Sequence, residues 1–384
     1  MLTSDNAHFG HGVAAEWLGL GTDNIITVAT NTDGTINKFD FEEKLRKELK
    51  EGNLIACIYL NGGTSYSHVI DDIPWFVDKR NKLAEEFSLS YTPHIHIDSV
   101  IGWFWLFFHN YDFKSNPLNT PDVSAKKIEL QYNRISKVNL ADSWGCDFHK
   151  GIGGCPVDTS LFILNNKNDS RFLYKKHIKN VQMHQIAEEF STDSPVNFTL
   201  ENSRSAGPML AALASLKSMG RNGYRKYLSN LVFHAELLRM RINKIPGTFI
   251  CDKYNLGFVV MVRLYPSFIP KESIGNDVFH GDKNVTAINE YNEKFFKWDY
   301  KERISKGIGV EFSYSSSFLV TKDGIGIHAL KIYLTSPFLT EEDIENCAKT
   351  ILKQKNIFDD LVNKNPHNLF NSDWFSRCTP SPAG

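Results

Sequence analysis

Apolar positions along the first hundred residues switch between two periods. Residues 24–29 (NIITVA) are short and β-branched and predict a strand. Residues 39–49 carry Phe and Leu among Glu and Lys at helical spacing and predict an amphipathic helix. Residues 54–60 (LIACIYL) read as a buried strand that stops at the turn signal Asn61-Gly62-Gly63. A second helix is predicted over 72–87, with Lys79, Arg80 and Lys82 on its wet face, and a further strand over 92–98 (TPHIHID). Strands alternating with helices call for a parallel sheet with crossover connections. Ligands of such sheets bind beyond the carboxyl ends of the strands, and Thr64 and Asp98 fall at two of those ends.

Residues 103–140, with Pro117 and Pro121 in their middle, read as an excursion from the sheet. A strand is predicted over 159–164, a helix over 206–219 that Gly220 should stop, and a second helical run over 224–242. From about residue 245 the pattern changes to strands at 258–264 and 328–334 and helices near 285–304 and 341–353. The expected organisation is a large domain over 1–243, a smaller α+β domain over 244–364, and a loosely ordered tail over 365–384. No internal repeat is visible.

Composition narrows the function classes. The chain has 384 residues, enough for a large domain and a smaller one. Apolar residues make up 42% and charged residues 23%, ordinary for a soluble globular protein, and a net charge of -1 gives no basic field for nucleic acid. The longest apolar run, 100–108, is too short for a bilayer, and no secretory leader opens the sequence. Six cysteines without a CxxC pair argue against a zinc ribbon or disulfide framework and fit a reducing cytoplasm.

Four short elements carry candidate chemistry. The first is Asp147-Phe148-His149-Lys150 followed by Gly151-Ile152-Gly153-Gly154. A lysine that condenses with an aldehyde must lose its proton, against an ordinary pKa of roughly 10.4, and a neighbouring histidine can donate to a phosphate. A solvated charged turn explains the same tetrapeptide. The second is Asp98 at the end of a buried strand, costly unless paired. A protonated ring nitrogen would pair it, and capping the next helix would explain it equally. His94 and His96 share a strand face but have no obvious third metal ligand. The third is Asn61-Gly62-Gly63-Thr64-Ser65, either an anion cradle or a plain turn. The fourth is His8 in Thr3-Ser4-Asp5-Asn6-Ala7-His8, a ring that could lie flat on an aromatic ligand.

In order, SDNAHFGHGVAAEWLGLG, NGGTSYSHVIDDI, HIHIDSVIGW, ADSWGCDFHK and ENSRSAGPMLAALASLKSMGRNGY resemble the group II pyridoxal-phosphate (PLP) decarboxylases, from about Ser4 to Tyr227. That family has the fold type I architecture: a large α/β domain with a mainly parallel sheet, plus a smaller C-terminal domain. The resemblance implies decarboxylation of an L-amino acid, with Lys150 holding PLP as a Schiff base, Asp98 on its ring nitrogen and His8 stacked on its face. Thr64 is implied near the ring and its phenolic oxygen, and His149 and Ser143 near the phosphate. Tyr174 is implied as proton donor to the product carbon. A homodimer is implied too, with Ser203, Arg204 and Ser205 near the interface. The same elements occur in aldehyde lyases resembling sphingosine-phosphate lyase, and a non-catalytic truncated homologue is a third reading.

Three departures stand out. The family's usual HVDAA is HIDSV here, which puts Ser99 and Val100 in the pocket wall. Phe148 and Gly151 flank the His149-Lys150 pair where a small residue and a tryptophan are frequent. The family also carries a region ahead of the stacking histidine, with a Gly/Ser/Thr-rich turn that holds the phosphate. Here that histidine is already residue 8. The implied site is therefore N-terminally incomplete within these residues. The turn is encoded upstream, supplied by another polypeptide, or missing from a truncated product.

Overall fold

The structure, a computed structural model, describes residues 1–169, 205–252, 254–280, 284–321, 324–364 and 370. Its first half is built on strands β1 (Leu2–Ser4), β2 (Ile26–Val28), β3 (Cys57–Asn61), β4 (His94–Asp98), β5 (Ser143–Asp147) and β6 (Ser160–Leu164), in spatial order β2-β1-β3-β4-β5-β6. The first five run parallel and β6 closes the edge antiparallel to β5.

Strand alternation sorts this sheet into two unlike faces. Ile58, Leu60, Ile95 and Ile97 are all but inaccessible and form the apolar face. On the other face the register sets Tyr59 opposite His96 and His96 opposite Ser143. One step further along, Asn61, Asp98 and Gly145 form the last row at the carboxyl end.

Helices α1 (Gly10–Trp17), α2 (Lys38–Lys50), α3 (Ile73–Glu86) and α4 (Asp122–Ile135) connect these strands. Helix α2 starts where the Asn37 side chain accepts from the N–H groups of Phe39 and Asp40, and it buries Phe41, Leu45 and Leu49 on one stripe. Helix α3 buries Ile73, Phe76 and Leu83, and with them Arg80. The wet face expected for Arg80 is thus corrected: its guanidinium is held 2.7 Å from Asp142 and 2.7 Å from the Pro93 carbonyl, tying α3 to the strands beneath it.

Two helical runs, taken together as α5 (Gly207–Ile242), meet at Gly220, whose φ of 59° and ψ of 177° are non-helical, so the first run stops at this glycine as expected and the chain kinks into the second. Helix α5 packs on α4 and on the last helix, α7 (Glu341–Lys364). A second sheet, order β7-β8-β10-β9, is antiparallel: β7 (Thr248–Ile250), β8 (Val259–Leu264), β9 (Ser313–Val320) and β10 (Gly326–Tyr333). Helix α6 (Val285–Lys306) covers it. Strand β8 is buried throughout, and its Arg263 is neutralised by Asp277 at 2.6 Å, with Asn289 and the His328 carbonyl taking further N–H groups. Among the described residues no helix is long and apolar enough to cross a membrane.

Two histidines, the buried His68 and the half-buried His96, make the fold sensitive to acid. Burial lowers His68 to about 3 and His96 to about 4. The unfolded chain takes up these protons near pH 6.5, so stability present above that value is lost as pH falls toward the folded pKa values. The urea midpoint should therefore fall between pH 7 and pH 4.5. His68→Asn should flatten that fall, because asparagine tolerates the φ of 53° that His68 adopts. A midpoint that stays level would contradict this.

Candidate active site

The loops beyond the carboxyl ends of β1, β3, β4 and β5 meet because glycine lets them. A Cβ on Gly62 would lie 2.6 Å from both Ile97 and Ser99, and one on Gly102 would lie 1.6 Å from the Gly62 carbonyl oxygen. The turn after β3 and the turn after β4 are thus packed backbone to backbone. The Asn61-Gly62-Gly63 signal serves this approach. Ser99 is fully buried and donates to the Gly145 carbonyl at 2.7 Å, which welds the end of β4 to β5. It is a structural residue and not part of a pocket wall.

Asp98 closes β4 and faces the polar side of the sheet. One of its oxygens lies 3.1 Å from His11 Nε2, and the other has the Val100 N–H at 3.4 Å. Burial disfavours the charged carboxylate, but the hydrogen bond and charge of His11, the Val100 N–H and His96 together outweigh it and hold the carboxyl below its usual range. Its side-chain partner is His11. His11 sits in the first turn of α1, with Nδ1 2.9 Å from Thr3 Oγ1 and its ring stacked on Tyr59 at 4.2 Å.

His8 lies nearby but is exposed. Its ring stacks on Phe9 at 4.4 Å and Nδ1 accepts from the Gly10 N–H at 3.1 Å. Burial lowers its pKa, and it feels the opposing pull of Asp98, the push of Lys150 and His11, and the pull of Asp147. These four groups therefore share one electrostatic neighbourhood with His8. The segment leading to it is anchored by Asn61, which donates to Ser4 Oγ at 2.9 Å and to Asn6 Oδ1 at 3.2 Å.

Lys150 follows β5, with Nζ 2.9 Å from Asp147 Oδ2. Asp147 also accepts from Ser160 Oγ at 2.5 Å, so the lysine's carboxylate partner is itself fixed to the antiparallel edge strand. His149 Nδ1 lies 3.1 Å from the Thr159 backbone, and its Nε2 stands 3.7 Å from Asp147. Gly151 has φ 51°, and a Cβ there would fall 2.7 Å from the buried Tyr333 hydroxyl of the second sheet. The lysine loop is thus pressed against β10.

The other expected residues are placed as follows. Thr64 Oγ1 accepts from the Val69 N–H at 3.2 Å, and Thr64 lines a cleft between the two sheets with Asn6, Tyr66 and Asp252. Its hydroxyl proton remains available to a ligand. Ser143 is fully buried at the start of β5, with His94 Nε2 at 2.7 Å and His96 Nδ1 at 2.8 Å. Its oxygen is committed to the sheet. Tyr174, Ser203 and Arg204 lie outside the described residues, and Ser205 accepts from the Gly207 N–H at the start of α5. No group of three His, Cys, Asp or Glu side chains able to hold a metal occurs among the described residues.

His11 and Tyr333 had no place in the sequence reading, and Asp147 was named there without a role. His11 stands three residues past His8, but His8 precedes α1, so helical spacing does not mark the pair. Nothing local marks Tyr333. Chemically, a solvent-accessible amine, a depressed carboxylate and an imidazole stand together, able to condense with an aldehyde and to hold a cationic ring.

No family model matches the sequence. The L-aspartate decarboxylase of Thermococcus kodakarensis is 23% identical over 259 residues, 67% of this chain and 56% of that protein. The L-2,4-diaminobutyrate decarboxylase of Acinetobacter baumannii is 20% identical over 363 residues, 94% of this chain and 59% of that protein. A rice sphingosine-1-phosphate lyase is 29% identical, over only 29% of this chain. Among solved structures, the glutamate decarboxylase domain of a diaminobutyrate-pyruvate transaminase and L-2,4-diaminobutyrate decarboxylase from Vibrio parahaemolyticus superposes with a TM-score of 0.61 at 19% identity, covering 92% of this chain and 58% of that one. Mouse CSAD gives 0.65 at 14%, over 92% and 63%. The chain thus spans little more than half the length of the curated relatives it matches, and the structural likeness bears out the fold type I expectation.

The tight contact at Gly151 is testable by urea denaturation. Gly151→Ala should cost about 1–3 kcal/mol from the positive φ and the collision with Tyr333. Tyr333→Phe, which removes a buried hydroxyl without a partner, should be near neutral and should soften the loss in the double variant. A Gly151→Ala chain as stable as the parent would refute the contact.

Proposed function

We propose, for a chain related by sequence and by fold to the group II pyridoxal-phosphate-dependent decarboxylases, that it removes the α-carboxylate of an L-amino acid with PLP as cofactor. The reading is carried by Lys150, Asp98 and His8 sharing one electrostatic neighbourhood beyond the carboxyl ends of the parallel strands, although they come from three separate segments of sequence.

The residues fit the cofactor on chemistry. Asp98 keeps one oxygen with only a long backbone contact, and its carboxyl is held in the charged form. A protonated ring nitrogen is the partner such a group suits. Lys150 would hold PLP covalently, since its amine is accessible and its loop is fixed by Asp147 and Gly151. His8 would lie against the ring face, Thr64 would donate to the phenolic oxygen, and the Nε2 edge of His149 would face the phosphate. Ser143 is less suited to that last task, because two histidines already take its hydroxyl. Tyr174 is proposed as proton donor on the resemblance alone.

When bound, PLP supplies an electron sink for the pair left as the carbon–carbon bond to CO₂ breaks. The protein's part is to keep Asp98 charged, to hold the substrate between the two sheets, and to return a proton to the α-carbon. The proposed assignment gives residues 1–243 to cofactor binding and residues 244–364 to the smaller domain. A homodimer in the cytoplasm follows from the family reading, supported here only by the relatives' kinship. The lyase reading uses the same amine and carboxylate, and the rice lyase matches too little of the chain to favour it.

CO₂ release decides between them. With PLP present, one or more L-amino acids from a panel including aspartate and 2,4-diaminobutyrate should yield CO₂, and Lys150→Ala should lower the rate by at least about a thousandfold, as loss of a covalent nucleophile does. Asp98→Asn should lower it too. No CO₂ from any substrate would count against the decarboxylase, and aldehyde release from a phosphorylated amino alcohol would establish the lyase.

A further inference from the structure

The strongest unassigned feature of the site is the imidazole of His11. We propose that His11 is the positioning residue of Asp98: bonded to Thr3 through Nδ1 and to Asp98 through Nε2, it fixes which carboxylate oxygen is left to meet a cationic ring. The role rests on the PLP reading above for its purpose, but not for its geometry.

The geometry allows few alternatives. A carboxylate only accepts, so Nε2 of His11 must carry the proton that reaches Asp98 Oδ2 at 3.1 Å. In the neutral ring Nδ1 is then an acceptor, and Thr3 Oγ1 at 2.9 Å donates to it. If the ring is protonated, the same hydroxyl turns to accept. Thr3 therefore serves either form, and Asp98 keeps its donor in both. The ring plane is fixed independently: His11 is buried and stacks on Tyr59 at 4.2 Å and 23°. With Oδ2 occupied, Oδ1 meets, among the described residues, only the Val100 N–H at 3.4 Å.

Other titratable groups stand around this pair: His96 on the same strand acts on Asp98, and His8, from the segment before α1, feels Asp98 and His11 together with Lys150 and Asp147 from the end of β5. Among the described residues none of these lies within hydrogen-bonding distance of Asp98, so His11 is the side chain in direct contact with it. Burial alone would push the carboxyl up, and the bond to His11 is the leading influence that brings it down. Loss of the imidazole should leave Asp98 both free to rotate and easier to protonate.

The test is a titration of Asp98 in the full chain without cofactor, by ¹³C NMR of labelled aspartate carboxyls, with Asp98→Asn to assign the signal. His11→Phe keeps a ring against Tyr59 and removes both hydrogen bonds. It should raise the Asp98 midpoint by about one pH unit, a tenfold change in its ionisation constant. His11→Gln, whose amide reaches about as far as Nε2, should restore most of the difference. An Asp98 midpoint that is the same in a folded His11→Phe chain would overturn the role. Should His11→Phe not fold, Thr3→Val carries the test, with a smaller upward shift expected and no shift overturning the proposal. A parent chain that neither binds PLP nor releases CO₂ would remove the decarboxylase reading while leaving the His11 result to stand or fall by the titration.

Discussion

A carboxylate set into a sheet has to be compensated, and the placement of Asp98 organises the whole site. Its strand is buried through Ile95 and Ile97 on one face, so alternation turns His94, His96 and Asp98 to the other. That face cannot be apolar. Tyr59, Ser143, Thr3 and His11 complete it: Ser143 lies between two histidines, and His11 between Thr3 and Asp98. The parallel register then carries Asp98 to the strand end, where helix-bearing loops converge and a ligand can reach it.

The same logic explains how the lysine is held. Lys150 comes one turn after β5, and its carboxylate partner Asp147 closes that strand. The antiparallel strand β6 supplies Ser160 to Asp147, and the second sheet supplies Tyr333 to the back of Gly151. Amine and carboxylate are thus placed by neighbouring strands of one sheet, and the second sheet limits where the lysine loop can go.

Much of this was legible in the sequence where period and length were clear. Strands β2, β3 and β4 and helices α2 and α3 fall where alternation and helical spacing put them. Strand β1 was missed because three residues are too few for a period, and α1 because it has no capping side chain and a weak apolar face. Strand β9 (SYSSSFLV) hid behind its serines. Arg80 was assigned to solvent because burial of a guanidinium depends on Asp142, sixty-two positions away. Of the site, Lys150 and Asp98 could be picked out by resemblance, and His8 is close to them. The hydrogen bond to Asp98 goes to His11 instead, a choice made by the path of the chain between β1 and α1. No local pattern encodes it.

Whether Lys150 is the amine of a PLP site is read most directly by reducing the PLP-treated chain with borohydride and mapping its peptides by mass. One pyridoxyl-modified lysine, Lys150, is expected, with loss of that modification in Asp98→Asn at limiting PLP. Modification spread over surface lysines, or confined to another residue, would contradict the assignment of Lys150.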